Sequence, residues 1–160
     1  MVGALALAGC ASPHIAAQAG AAEPRQLSEA QGLVAVREAL LQAGVLAERD
    51  FPVLLDGQPF DADVRFADPP FAIEWLSAEE HAREGARLPT STPTSPLQIA
   101  ACQSEGRSVQ MLVLDAAAYV YEANPLLVQR GALGIDDAER RVRHDVADFL
   151  DYARDQGGRF

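Results

Sequence analysis

The sequence predicts an α+β domain in which two long helices lie on one face of a mostly antiparallel sheet of about six short strands. Three observations lead there. Hydrophobic residues recur with a period of 3.6 near both ends of the body of the chain and with a period of 2 between them. Turn residues cut the middle into short runs. A chain of 160 residues holds one domain with a sizeable core and hardly two.

The first helix opens at Ser28-Glu29-Ala30-Gln31, a capping box in which the serine hydroxyl accepts from an exposed amide and Gln31 reaches back. Leu33, Val36, Leu40 and Leu41 follow at helical spacing, and Gly44 supplies a left-handed stop, so the helix ends near residue 43. PVLL, DGQP and FDADVRF then read as strand, tight turn and strand. Phe60, Ala62, Val64 and Phe66 share one face of the second strand, with Asp61, Asp63 and Arg65 on the other. Pro69-Pro70 interrupts, and FAIEWL, Phe71 to Leu76, makes a third strand. Ser77-Ala78-Glu79-Glu80 is a second capping box, opening a short helix through about Arg87.

PTSTPTSP, residues 89–96, is an internal loop with three prolines, an excursion within one domain. LQIAAC, SVQMLVLD and YVYE supply three more strands, the first two joined through Ser104-Glu105-Gly106-Arg107. The last helix runs from about Asp136 to about Asp155, with Ile135 as a staple. Its buried stripe is Ala138, Val142, Val146, Phe149, Leu150 and Ala153.

A net charge of -10 and thirteen arginines without a lysine leave an acidic surface. Such a surface repels phosphate backbones and anionic headgroups, which excludes nucleic acid as a partner and electrostatic docking on a membrane. Hydrophobic residues at 49% and charged residues at 22% mark a chain that folds.

Met1 to Gly9 is apolar or small throughout, too short to span a bilayer and suited to the apolar region of a signal peptide. Leu7-Ala8-Gly9-Cys10 resembles the lipobox of bacterial lipoproteins. The resemblance implies cleavage after Gly9, acylation at Cys10, and attachment to a membrane through that lipid. No basic residue precedes the apolar run, so residues 1–9 read as a signal truncated at its start. Residues 10–26, rich in Ala, Gly, Ser and Pro, read as lipidated cysteine and tether, and 27–160 as the domain. No aspartate follows Cys10, which makes the outer membrane the default address.

In LQIAAC, Leu97, Ile99 and Ala101 share one strand face and Cys102 falls on the other. Cys102 has three readings: a half-buried small residue, a disulfide partner of Cys10 in an unlipidated form, and a nucleophile. Asp61 and Asp63 on one strand face could hold a cation or act as acid and base, and the plainer reading is a solvated face balanced by Arg65. His81 and Glu84, at i and i+3 with Glu80 beside them, have a spacing that metal sites use. The remaining histidines sit in the tether, His14, and among charges, His144. Trp75, Tyr119 and Tyr121 form either core or a candidate binding strip. Glu74, next to Trp75, reads as a buried acid or, by strand alternation, as an outward one, and is not selected as a site residue. No sequence pattern implies a cofactor or a resident metal.

The expected function is a lipid-anchored envelope protein whose domain binds an envelope protein partner or has a structural role without catalysis. The alternative is an envelope metal-assisted hydrolase using Asp61, Asp63, Glu80 and His81, which requires those side chains to converge. A third reading is a cytoplasmic domain behind an Ala-rich leader, with both cysteines free.

Overall fold

The computed structural model describes residues 20–89 and 97–160. The lipobox with Gly9 and Cys10, the tether histidine His14, and all but the first residue of the 89–96 loop lie outside the described residues.

The chain runs β1 (Pro24–Gln26), α1 (Glu29–Gln42), β2 (Ala47–Leu55), β3 (Gln58–Phe66), β4 (Phe71–Leu76), α2 (Ala78–Glu84), β5 (Ile99–Ser104), β6 (Arg107–Asp115), β7 (Val120–Glu122), α3 (Pro125–Val128) and α4 (Ile135–Asp155). Local chemistry sets most of these boundaries. Both capping boxes are made, with Ser28 and Gln31 at the start of α1 and Ser77 and Glu80 at the start of α2. Asp56-Gly57 and Glu105-Gly106 take positive φ at both positions, the backbone of a primed two-residue hairpin turn, and join β2 to β3 and β5 to β6. Gly44, with φ of 71°, ends α1 as the sequence predicts.

Helix and strand are mixed in one domain, but the strands do not make a single six-stranded sheet. β2, β3, β4, β6 and β5 close into a barrel, and β1 with β7 forms a separate two-stranded ribbon. Two features overturn the simpler expectation. β2 pairs along both edges, with β3 over most of its length and with β5 at Leu54↔Gln103 and Leu55↔Cys102, which closes the barrel. β4 runs parallel to β6, because α2 and β5 intervene between them. YVYE leaves the barrel after a turn at Ala116–Ala118 and pairs instead with Pro24–Gln26, residues that composition alone assigns to the tether. The strand order, directions and placing of a helix between the third and fourth barrel strands are those of an OB-type Greek-key barrel.

Two apolar cores result. The barrel interior is filled by Val53, Leu55, Ala62, Ala72, Leu76, Ala100, Cys102, Val109, Met111 and Val113. Outside it, α1 and α4 cover the other face of β4 and β6 with Leu33, Val36, Leu40, Val142, Val146 and Phe149 against Phe71, Ile73, Trp75, Leu112 and Leu114. The α4 stripe predicted from periodicity is the buried stripe, all six residues of it. β4 is therefore sandwiched between two cores, and all six of its residues are buried.

Trp75 and Tyr119 stack in the helix layer with ring centroids 5.3 Å apart, so neither belongs to an exposed strip. Tyr121 is half-buried on β7. The Tyr119 hydroxyl donates to Asp145 Oδ2 at 2.7 Å and ties the turn before β7 to α4. Burial first, and that hydrogen bond second, push the phenol well above its ordinary range. Tyr119→Phe should cost about 1–2 kcal/mol, read as a lower urea midpoint with an unchanged slope. No loss would show that the bond carries nothing.

Cys102 is a free thiol buried among barrel residues, not half-buried as expected. Burial raises its pKa to about 11, which leaves it a protonated small hydrophobe at neutral pH. No helix of the described residues is long and apolar enough to cross a membrane.

Candidate functional site

The most unusual chemistry of the described residues lies where β3 and β4 part. Their ladder covers only Val64↔Ile73, Arg65↔Ala72 and Phe66↔Phe71. Beyond it, side chains take over from the backbone. Asp63 Oδ2 accepts from the Trp75 N–H at 2.7 Å, and Glu74 Oε2 accepts from the Asp63 N–H at 3.2 Å. Each carboxyl group thus satisfies an amide on the facing strand that the parted ladder leaves open.

The same point divides the two cores. Along one face of β3, Phe60 and Ala62 belong with the barrel interior while Val64 and Phe66 belong with the helix layer. Asp50, which the β2–β3 register places opposite Asp63, has φ of 55° and drops out of that pairing. Both ladders of β3 are interrupted at Asp63, and the carboxyl pair bonds the amides left there.

Glu74 is the only charged residue buried among those described, at 3% exposure. Burial, then the Asp63 charge and the Glu80 charge, raise its pKa to about 9. Burial raises Asp63 as well, while the Trp75 amide acts against that rise. The two carboxyl groups titrate as a pair, and burial favours the protonated form most strongly at Glu74, the deeper of the two. The sequence expectation placed Glu74 outward by alternation and did not select it. The signal lay in FAIEWL itself, a nearly continuous apolar run of the kind that marks a strand buried on both faces, interrupted by one acid.

A cleft of about 330 Å³ opens beside the seam, lined by Pro59, Phe60, Asp61, Glu74, Glu80, Arg83 and Glu84. Of the four side chains required by the hydrolase alternative, Asp61 and Glu80 line this cleft, and Asp63 stands behind it on Glu74. Asp61 is exposed on β3. Glu80 Oε2 accepts from Ser77 N–H at 3.1 Å and from the Ser77 hydroxyl at 2.7 Å, so it serves the α2 cap. His81 does not join them. It lies on the other side of α2 with Nδ1 2.9 Å from Asp115 Oδ2, in a separate cavity of about 190 Å³ with Leu76 and Leu88. Consecutive helix residues point about 100° apart, so Glu80 and His81 face different cavities, and the four do not converge.

The i, i+3 pair of His81 and Glu84 is likewise split. Glu84 is held by Arg87 at 2.6 Å and by Arg83 at 3.4 Å. His144 sits on exposed α4 surface with Asp145 and Asp148 within ligand distance of one another, an acidic face of ordinary kind.

OB-type barrels take ligands on the face of their second and third strands and on nearby loops. Here those strands are β3 and β4, and the outer surface of β4, with the adjoining Val64 and Phe66 of β3, is buried under α1 and α4. What remains open is the seam cleft and the outer face of the β2–β3 hairpin. No family model, no curated protein and no solved structure matches the chain. The barrel order accordingly carries architecture alone, and function rests on the residues themselves.

Proposed function

We propose that the protein is a lipid-anchored bacterial envelope protein, held to a membrane through Cys10, whose barrel domain binds a protein partner without catalysing a reaction. The observation that carries the anchor is Leu7-Ala8-Gly9-Cys10. Each buried methylene of an acyl chain contributes about 0.8 kcal/mol, and two or three chains together hold a protein that a surface of charge -10 would not hold. From Cys10 to the first paired residue, Pro24, the chain reaches at most about 50 Å when extended, enough to stand a domain off a bilayer.

Two features of the domain support binding over chemistry. The four residues of the metal-assisted hydrolase do not meet, and His81 is committed to Asp115. The Asp63 and Glu74 carboxyl groups are engaged with backbone amides of the seam, a structural use for both. A second reading keeps one observation in its favour: Glu74, its pKa raised by burial, stands beside a second carboxyl group at the wall of a cleft, a pairing that acid–base chemistry uses.

The anchor is tested by detergent phase partition of the protein expressed in a bacterial host from the upstream reading frame. Wild type should enter the detergent phase and Cys10→Ala should remain in the aqueous phase. Equal partition of the two would overturn the anchor.

A further inference from the structure

We infer that the seam cleft and the groove on the outer face of the β2–β3 hairpin form one docking surface for an extended polypeptide segment carrying a large apolar side chain next to a lysine or arginine. The inference rests on the reading of the domain as a binding module and names its partner's chemistry.

The two concavities are continuous. The groove, of about 270 Å³, is lined by Pro52, Leu54, Pro59 and Phe60 with Asp61 and Glu105 at its rim, and it shares Pro59, Phe60 and Asp61 with the cleft. The register places Pro52 opposite Asp61 and Leu54 opposite Pro59, so these four side chains share the outer face of the hairpin. Leu54 is 44% exposed there, a large apolar side chain in contact with water. An apolar side chain of a partner finds two prolines and a leucine on this face.

The backbone of β3 supplies a second element. No described strand pairs with Gln58–Ala62 on the side away from β2. The Asp63 N–H turns to that side, toward Glu74, and Asp61 has the same parity along the strand. Pro52, opposite Asp61, has no N–H to give and turns its carbonyl to Ser104 Oγ at 3.0 Å, away from β3. The N–H and C=O of Asp61 therefore face the cleft, where the main chain of an extended segment can pair with them.

Charge selects the occupant. Asp61, Glu80, Glu84 and Glu105 stand around the surface, and the cation lining it, Arg83, is 3.4 Å from Glu84. A second copy of this chain, at net charge -10, would be repelled, as would any polyanion. A segment with Lys or Arg beside its apolar residue places the cation at Asp61 and the apolar group against Leu54 and Pro59.

The test is fluorescence anisotropy of a labelled, end-blocked peptide of alternating leucine and lysine, titrated with the full chain at physiological salt. An alternating leucine and glutamate peptide is the counterpart. Wild type should bind the first peptide and not the second. Asp61→Lys and Leu54→Ser, both at exposed positions, should each weaken binding at least fivefold. Glu139→Lys on α4, with the same change in net charge as Asp61→Lys, should change it less than twofold. Equal weakening by Glu139→Lys would reduce the interaction to non-specific charge attraction and overturn the inference. Binding undiminished in both surface variants would overturn this surface and leave the binding-domain reading standing. No binding of the leucine and lysine peptide would overturn the partner chemistry. The anchor is decided separately, at Cys10.

Discussion

Glu74→Gln should be more stable than wild type at pH 8, and its stability should vary little between pH 5 and 9. In the folded chain the Glu74 carboxyl is pushed up to about 9, against an ordinary value of 4.5. Below that ordinary value both folded and unfolded chains hold the proton, and the native state has its full stability. As pH rises toward 9 the unfolded chain releases a proton that the folded chain keeps. Stability then falls by up to about 1.4 kcal/mol per pH unit. Above about 9 both forms are ionised, the contribution is lost and the dependence levels off. Glutamine is neutral at every pH, can accept from the Asp63 amide as Glu74 does, and has an amide NH₂ to offer the neighbouring Asp63 carboxyl group. Urea titrations of both proteins across pH 5 to 9 decide it. A wild-type curve as flat as the variant's would show that Glu74 is ionised in the folded state, and would remove the proton from the seam. The same variant bears on the acid–base reading, since a catalytic role loses its proton donor whatever the fold gains.

Gly32→Ala should destabilise the domain, although alanine is the better helix former by about 1 kcal/mol. A Cβ at Gly32 would stand 2.5 Å from three ring atoms of Trp75. The indole cannot yield, being 1% exposed, stacked on Tyr119, and part of a strand packed on both faces. Overpacking of this kind costs about 1–3 kcal/mol, occasionally more, and the closeness of the contact places the net effect on the destabilising side. Chemical denaturation followed by Trp75 fluorescence reads both the midpoint and any change around the ring. A rise in the midpoint would mean that α1 shifts freely on β4, contrary to a helix layer locked by Trp75 and Tyr119.

These two positions also show what the sequence displays and what it withholds. α1, the β2–β3 hairpin, α2 and the buried stripe of α4 are local patterns, set by caps, turn dipeptides and periodicity, and each is legible from the neighbouring residues. Barrel closure is not. It depends on β2 meeting β5 and β4 meeting β6 in parallel, pairings between segments far apart in sequence that no turn signal announces. The alternation rule placed Glu74 outward because it assumes one buried face, whereas β4 has two. Asp61 and Glu80 were legible as two of the four side chains of the hydrolase alternative, and they share a cleft. His81 parted from Glu80 because adjacent residues on a helix point about 100° apart. Cys102 fell on the face opposite Ile99 and Ala101 as the spacing predicts, and closure of the barrel is what buried it completely.

Whether Cys10 carries lipid is decided by intact mass spectrometry. Wild type and Cys10→Ala are expressed in a bacterial host from the upstream reading frame and purified from membranes and from the soluble fraction. A lipid anchor at Cys10 requires a wild-type chain that has lost everything before Cys10 and gained acyl mass, with both changes absent in Cys10→Ala. An unmodified wild-type chain that retains Met1 to Gly9 would contradict it, return Cys10 to the domain as an ordinary thiol, and remove the envelope from the function.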